Sequence, residues 1–184
     1  VSGYGFARQG YPVRGLFSIP FVGLSSNGIP MYNINGKITS TDIDFQTRDN
    51  IDYLKYEGPT DPTITGSFGN IFTYKAFKLN VFITYSFGNV VRLNPCFNYQ
   101  YSDLSSMPRE FKNRWTVPGD EKHTNIPAII SKRQYEDNKD LMYAYNAYNY
   151  STERIAKGDF IRMKEISLSY DFPKSWITSA KISN

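Results

Sequence analysis

The chain has 184 residues, a formal net charge of +4, a sequence pI near 9.0, one Cys and one His. Single copies of Cys and His exclude an internal disulfide and a His/Cys metal cluster, and the scattered Lys and Arg form no basic run to follow a nucleic-acid backbone. No window approaches 18 continuous apolar residues, which excludes a transmembrane helix but not a barrel, whose alternating strands give weak hydropathy.

Aromatic residues reach 16%, with 15 Tyr and 13 Phe, a mix that favours strands and turns over helices. Residues Val13 to Leu24 read as a strand with Phe17, Ile19 and Phe21 on one face and Pro20 weakening its centre. Asn27-Gly28 and Asn35-Gly36 are turn signals around a short segment, Ile29 to Ile34. Thr39 to Tyr56 is polar with isolated apolar residues (Ile43, Phe45, Ile51, Tyr53, Leu54), enough for one strand. Gly58 to Asn70 is turn-rich.

From Lys75 the alternation is nearly unbroken. Phe77, Leu79, Val81, Ile83, Tyr85 and Phe87 fall on one face, and Ala76, Lys78, Asn80, Phe82, Thr84 and Ser86 on the other. Gly88-Asn89 reads as a tight turn, after which Val91, Leu93, Pro95, Phe97 and Tyr99 alternate with Arg92, Asn94, Cys96, Asn98 and Gln100. The expectation is an antiparallel hairpin with arms of about 35–40 Å, long beside the usual strand of about 5–6 residues.

Ser102 to Ser151 carries Met107-Pro108, Pro118-Gly119-Asp120, Ile126-Pro127 and the run "LMYAYNAYNY", without a sustained period; only Lys132 to Tyr143 suggests a short helix. A stretch of that length without elements points to a functional or disordered loop. Alternation returns after Gly158: Ile166, Leu168, Tyr170 and Phe172 oppose Glu165, Ser167, Ser169 and Asp171, and Pro173 ends the strand.

Catalytic patterns are scarce. Cys96 and His123 fall on a polar strand face and in a long loop, which is no basis for a nucleophile–base pair. Gly3-Tyr4-Gly5 lacks the third glycine of a dinucleotide fingerprint. Asp42/Asp44, Asp120/Glu121 and Asp137/Asp140 read as solvated surface rather than a glycosidase pair. No enzyme, metal or cofactor is expected.

What remains is architectural. The alternation suits either a soluble sandwich, its apolar face in a core, or an outer-membrane barrel. Long arms, aromatic residues near the strand ends (Tyr74, Phe77; Tyr85, Phe87; Tyr99, Tyr101) and short turns set against one long loop favour the barrel.

Specific blocks sharpen this. "GSFGNIFTYKAFKLNVFITYSFGNVVR" (Gly66 to Arg92), "NRWTVPGDEKHTNIPAI" (Asn113 to Ile129) and "STERIAKGDFIRMKEISLSYDFPKSW" (Ser151 to Trp176) resemble, in order, segments of SusC/RagA-type TonB-dependent outer-membrane proteins. "GLSSNGIPMYNINGK" (Gly23 to Lys37) is similar more loosely. The resemblance implies an all-β fold: part of an antiparallel transmembrane β-barrel of about 22 strands with long extracellular loops, in the outer membrane of a Gram-negative bacterium of the Bacteroidetes. It implies TonB-dependent import of glycans or peptides, a SusD-like surface lipoprotein as partner, and energy from TonB-ExbB-ExbD.

On that resemblance residues 1–184 are a late-barrel fragment, without plug, TonB box or last strands, which would not fold stably in water alone. Residues 102–151 would form an extracellular loop. Phe77, Leu79, Val81, Ile83, Ile166, Leu168 and Tyr170 would face outer-membrane lipid, and Lys78, Asn80, Thr84, Ser167 and Ser169 the lumen. Trp115, Asp120, Tyr143, Tyr145, Tyr148 and Tyr150 are candidates for contact with an oligosaccharide or peptide cargo or with the partner, or else simply pack the loop. The rival reading is a soluble or surface-attached carbohydrate-binding β-sandwich or adhesin module.

Overall fold

The computed structural model describes residues 6–41, 43, 51–97 and 106–179. In chain order they form β1 (Gly15–Ser18), β2 (Phe21–Leu24), β3 (Pro30–Ile34), β4 (Lys37–Thr39), β5 (Lys55–Pro59), β6 (Ile64–Tyr74), β7 (Phe77–Phe87) and β8 (Val90–Arg92). Helices α1 (Lys132–Asp137) and α2 (Asp140–Asn149) follow, then β9 (Ile155–Lys157), β10 (Phe160–Tyr170) and α3 (Lys174–Ser179). Every ladder between strands is antiparallel, and the class is all-β. The chain divides into a core unit, residues 1–61 with 89–157, and a sheet unit, residues 62–88 with 158–184.

In the core unit, Pro20 has no N–H to offer a ladder and splits the strand expected over residues 13–24 into β1 and β2. β1 pairs with β5 and is buried along its whole length, while β2, β3 and β4 form a meander. Asn35 and Gly36 both take positive φ, 50° and 87°. That backbone follows the right-handed twist of a hairpin, and β3 turns into β4 there.

Residues 106–151, expected to lack elements beyond a short helix, are folded. They hold 3-10 turns at Arg109–Asn113 and Asp120–Lys122, then α1 and α2. Ser131 and Gln134 close a reciprocal capping box at the start of α1. α2 buries Leu141, Ala144, Tyr145 and Tyr148, the i, i+3, i+4, i+7 stripe of one helix face.

Tyr145 and Tyr148 enter one cluster with Phe17, Ile19, Tyr32, Leu54, Phe97 and Phe111. The Phe97 ring meets those of Phe111, Tyr145 and Tyr148 at centroid distances of 4.9, 5.1 and 5.3 Å. The Tyr32 hydroxyl donates to the Ala144 carbonyl at 2.7 Å, tying β3 to α2. Buried Asn149 acts as a piece of strand: its Oδ1 accepts from the N–H groups of Cys96 (2.8 Å) and Phe97 (3.0 Å), and its Nδ2 donates to the Phe97 carbonyl (2.9 Å). A buried segment outside any ladder is thereby satisfied.

The sheet unit is built differently. β7 is its middle strand, flanked by β6 and β10, and each runs 11 residues. The hairpin partner of β7 is β6, closed by the two-residue turn Lys75-Ala76, and not residues 91–99 as expected. Gly88 does take the positive φ of a turn, 81°, but it leads into β8, which pairs with β9. Residues 93–97 form no strand; Pro95 cannot donate to a ladder, and Asn149 engages the two residues after it. β6 occupies much of the stretch expected to be turns. Gly3-Tyr4-Gly5, Asp42, Asp44, Phe45, Asn98, Tyr99, Gln100 and Tyr101 lie outside the described residues.

Two packing details set the sheet's surface. Gly66 pairs with Tyr85 and Gly69 with Phe82, and each ring lies over its glycine. A Cβ on Gly69 would sit 2.9 Å from the Phe82 ring, and one on Gly66 would run into the Tyr85 ring and hydroxyl. In β10 the register shifts between Met163 and Glu165. That bulge absorbs a change of parity, since Ile161 and Met163 are odd-numbered and Ile166, Leu168 and Tyr170 even.

Candidate functional site

Side chains directly opposite in an antiparallel ladder share a face, so the register assigns every residue of the sheet unit. Phe77, Leu79, Val81, Ile83, Tyr85 and Phe87 of β7 lie level with Tyr74, Phe72, Asn70, Phe68, Gly66 and Ile64 of β6. On β10 the matching positions are Tyr170, Leu168, Ile166, Met163 and Ile161. This face is almost wholly apolar, and most of it is open: Leu168 is 68% and Ile161 69% exposed. Among the described residues of the unit only Ser86 is buried.

The other face carries Lys78, Asn80, Phe82, Thr84 and Ser86 with Ser169, Ser167, Glu165, Arg162 and Phe160. It is cross-linked by polar contacts. The Asn80 amide donates to Glu165 at 2.8 Å, the Ser167 hydroxyl to the same oxygen at 3.3 Å, and Lys78 pairs with Asp171 at 3.2 Å. The seven residues expected to face lipid thus share one surface, and the five expected to face the lumen share the opposite one.

Along the apolar face the chemistry is graded. Rings gather at the end with the tight turn, where Phe77 and Tyr170 stand 4.6 Å apart between centroids. They gather again at the far end, where Tyr85 and Phe87 stack at 5.6 Å. Between them β7 and β10 present Leu79, Val81, Ile83, Met163, Ile166 and Leu168, while β6 sets Phe72, Asn70 and Phe68 at the same levels. Phe77 to Phe87 spans about 33 Å along the strand. At the tilt of about 40° that transmembrane-barrel strands take, it would rise about 25 Å.

The candidate contact residues of the core unit are mostly engaged within it. Asp120 Oδ2 accepts from the N–H of Thr116 (3.0 Å), the Thr116 hydroxyl (2.9 Å) and the N–H of Val117 (3.1 Å), which hold its carboxyl below the ordinary carboxylate range. Glu121, read with Asp120 in the sequence as solvated surface, accepts from the Trp115 indole (3.1 Å) and the N–H of Gly119 (2.8 Å). Its own N–H and that indole lower its pKa. Trp115 lies so close over Gly28 that a Cβ there would be 2.5 Å from the indole. These residues make a self-bonded turn.

Tyr145 and Tyr148 are buried in the core, and burial pushes the Tyr148 phenol well up. Neither offers a ring to solvent. Tyr150 is half-buried with the Arg92 guanidinium 5.3 Å over its ring, while burial lowers Arg92 to about 10. Tyr143 alone of the six is exposed.

Two further residues escaped the sequence reading. Arg154, 5% exposed, pairs with Glu110 at 2.8 Å and donates to the Asn94 carbonyl at 2.5 Å. Arg154 lowers the Glu110 pKa, and burial raises the neighbouring Cys96 thiol to about 12. Among the described residues no group of three or more His, Cys, Asp or Glu could hold a metal ion, and no helix is long and apolar enough to cross a membrane.

What the fold defines is an all-β chain with a sheet of three long strands, apolar on one face and polar on the other. No family model and no curated protein matches the sequence. Among solved structures, a chain of the RagAB peptide importer in its "open-open" state superposes with a TM-score of 0.59 at 21% identity. The match covers 91% of this chain and 17% of that one, so the chain spans a small part of the importer's length. The likeness is one of fold.

Proposed function

We propose that this chain is part of the barrel wall and outer region of a SusC/RagA-type, TonB-dependent outer-membrane importer. The observation that carries the reading is the apolar face of the sheet unit: a largely open face on strands of 11 residues, about 33 Å long, which at the tilt of a barrel strand would match the height of about 25 Å of an outer-membrane belt. Burying each large apolar side chain is worth about 1.5–3 kcal/mol, which the acyl chains of a bilayer would supply. The likeness in fold to a peptide importer supports the same reading.

In this reading residues 1–184 belong to the late barrel, with plug, TonB box and last strands contributed by chain beyond them. Phe77, Leu79, Val81, Ile83, Ile166, Leu168 and Tyr170 meet lipid; Lys78, Asn80, Thr84, Ser167 and Ser169 meet the lumen. The two-residue turn Lys75-Ala76 is the short periplasmic connection and residues 102–151 lie outside the cell, where a SusD-like lipoprotein docks. Tyr143 and Tyr150 are the rings left to touch cargo or that partner, and a peptide is the cargo to test first. TonB-ExbB-ExbD acts through the segments beyond this chain.

The test is a carbonate wash of membranes from the native source, followed by electrophoresis with and without boiling. The expected result is a protein retained in the outer-membrane pellet whose unboiled form migrates differently. Release as a soluble species would return the chain to the sandwich class.

A further inference from the structure

The row of rings at the turn end of the sheet does not stop with β10. From Phe77 it passes to Tyr170 at 4.6 Å, on to Phe172 at 5.1 Å and then to Trp176 at 6.4 Å, in the first turns of α3. β10 ends at Tyr170, and Pro173 opens α3: its carbonyl accepts from the N–H of Trp176 at 2.9 Å. The ring contacts therefore continue past the C-terminal end of β10. Phe172 is 60% and Trp176 61% exposed, so the line ends in two large rings with little protein over them.

Their setting narrows what covers them. The line starts from the apolar face and is continuous with it, whereas Lys75, beside the Tyr74 ring at 5.4 Å, and Lys78, paired with Asp171, bring ammonium groups to the same end of the sheet. A ring with a polar N–H edge, set where an apolar belt gives way to cations, matches the boundary between acyl chains and phosphate headgroups.

We infer that Phe172 and Trp176 are a bilayer-interface anchor. They carry the aromatic girdle past β10 onto α3, where Trp176 lies at the headgroup boundary of the leaflet on the tight-turn side. The inference rests on the membrane reading above and adds a depth and a residue to it.

The test uses Trp fluorescence of the membrane-inserted protein, in phosphatidylcholine vesicles brominated either near the headgroup or near the bilayer centre. Subtracting the signal of Trp176→Phe isolates Trp176. Trp115, hydrogen-bonded to Glu121 in the core unit, then cancels. A second probe, Ile83→Trp in the Trp176→Phe background, reports the middle of the belt. The expected result is at least twofold stronger quenching of Trp176 by the shallow bromines than by the deep ones, with the order reversed at position 83.

If position 83 is quenched and Trp176 is not, the anchor is overturned while the membrane belt stands; blue-shifted emission would then indicate a protein partner and red-shifted emission water. Deeper quenching at 176 than at 83 overturns the anchor as well. If neither probe is quenched, the belt itself is wrong and the anchor falls with it.

Discussion

The core unit and the sheet unit solve the same problem in opposite ways. Both are rich in Tyr and Phe. In the core unit these rings turn inward, where Phe17, Tyr32, Phe97, Tyr145 and Tyr148 share one cluster, and the strands are three to five residues long. In the sheet unit the strands are more than twice that length, and Phe68, Phe72, Tyr74 and Phe77 stand exposed. Composition does not separate the two. What does is the supply of a second layer: helix α2 and the coil over residues 93–97 close over the short strands, while among the described residues of the sheet unit only Ser86 is buried. A unit that makes its own interior folds by the rules of a soluble domain; one that leaves a regular apolar face open is, on the function proposed above, covered by an external apolar medium.

That contrast can be broken from either side. The largest effect is expected in the core. Phe97→Ala removes a ring held by three others and costs about 3–5 kcal/mol. Amide exchange over α2 should accelerate while β7 in lipid keeps its protection; equal loss in both would show that the units fold as one.

Next comes the face test. Leu168→Arg puts a cation in the apolar belt and is expected to cost about 2–4 kcal/mol in bilayer-inserted protein, read by urea unfolding, whereas the neighbouring Ser167→Arg stays within about 0.5 kcal/mol. Similar effects at the two positions would erase the distinction between faces. Smaller still is Gly66→Val, which displaces the Tyr85 ring and costs about 1–2 kcal/mol. In a Tyr85→Ala background the same change turns neutral or stabilising, because Val is the better strand residue, and a double-mutant unfolding cycle checks it.

The smallest expected effect is acid sensitivity. Glu110 is held below its ordinary 4.5, chiefly by the hydrogen bond from Arg154. A carboxyl with a depressed folded pKa stabilises above its unfolded value, and that increment is lost as pH falls through the folded pKa. The core unit should therefore lose stability below pH 4.5, with less than about 1 kcal/mol from this partly exposed group. Asp120 and Glu121 shift in the same direction, so the contribution of Glu110 is the difference between parent and Glu110→Gln thermal melts across that window.

The legible parts of this fold are those where one period runs undisturbed. β7 declares itself because its apolar residues keep strict alternation over 11 positions. β6 is nearly hidden because its partners Tyr85 and Phe82 cover Gly66 and Gly69, and glycines in sequence read as punctuation rather than as the space beneath a ring. β10 shows only its second half, since the bulge after Met163 changes parity midway, and the step from Ile161/Met163 to Ile166/Leu168 is the signal that exposes it. The stripe Leu141, Ala144, Tyr145, Tyr148 has helical spacing, yet it lies in a run of Tyr and Asn, weak helix formers, that masks the period. Those tyrosines look available for cargo in sequence because only the cluster around Phe97 reveals what they bury against. The faces of β7 and of the second half of β10 follow from alternation alone; the residues that hold the core unit together, Asn149 and Arg154, bond to partners more than 50 residues away.

The central claim is that one face of the sheet unit meets lipid and the other does not. Its most direct test is a nitroxide scan along β7, from position 77 to 87, in bilayer-inserted protein, with oxygen as the lipid-soluble relaxant and a nickel chelate as the aqueous one. Oxygen accessibility should rise and fall with a period of two and peak at Leu79, Val81 and Ile83, with the chelate out of phase. A flat profile, or oxygen peaks at Lys78, Asn80 and Thr84, would contradict it.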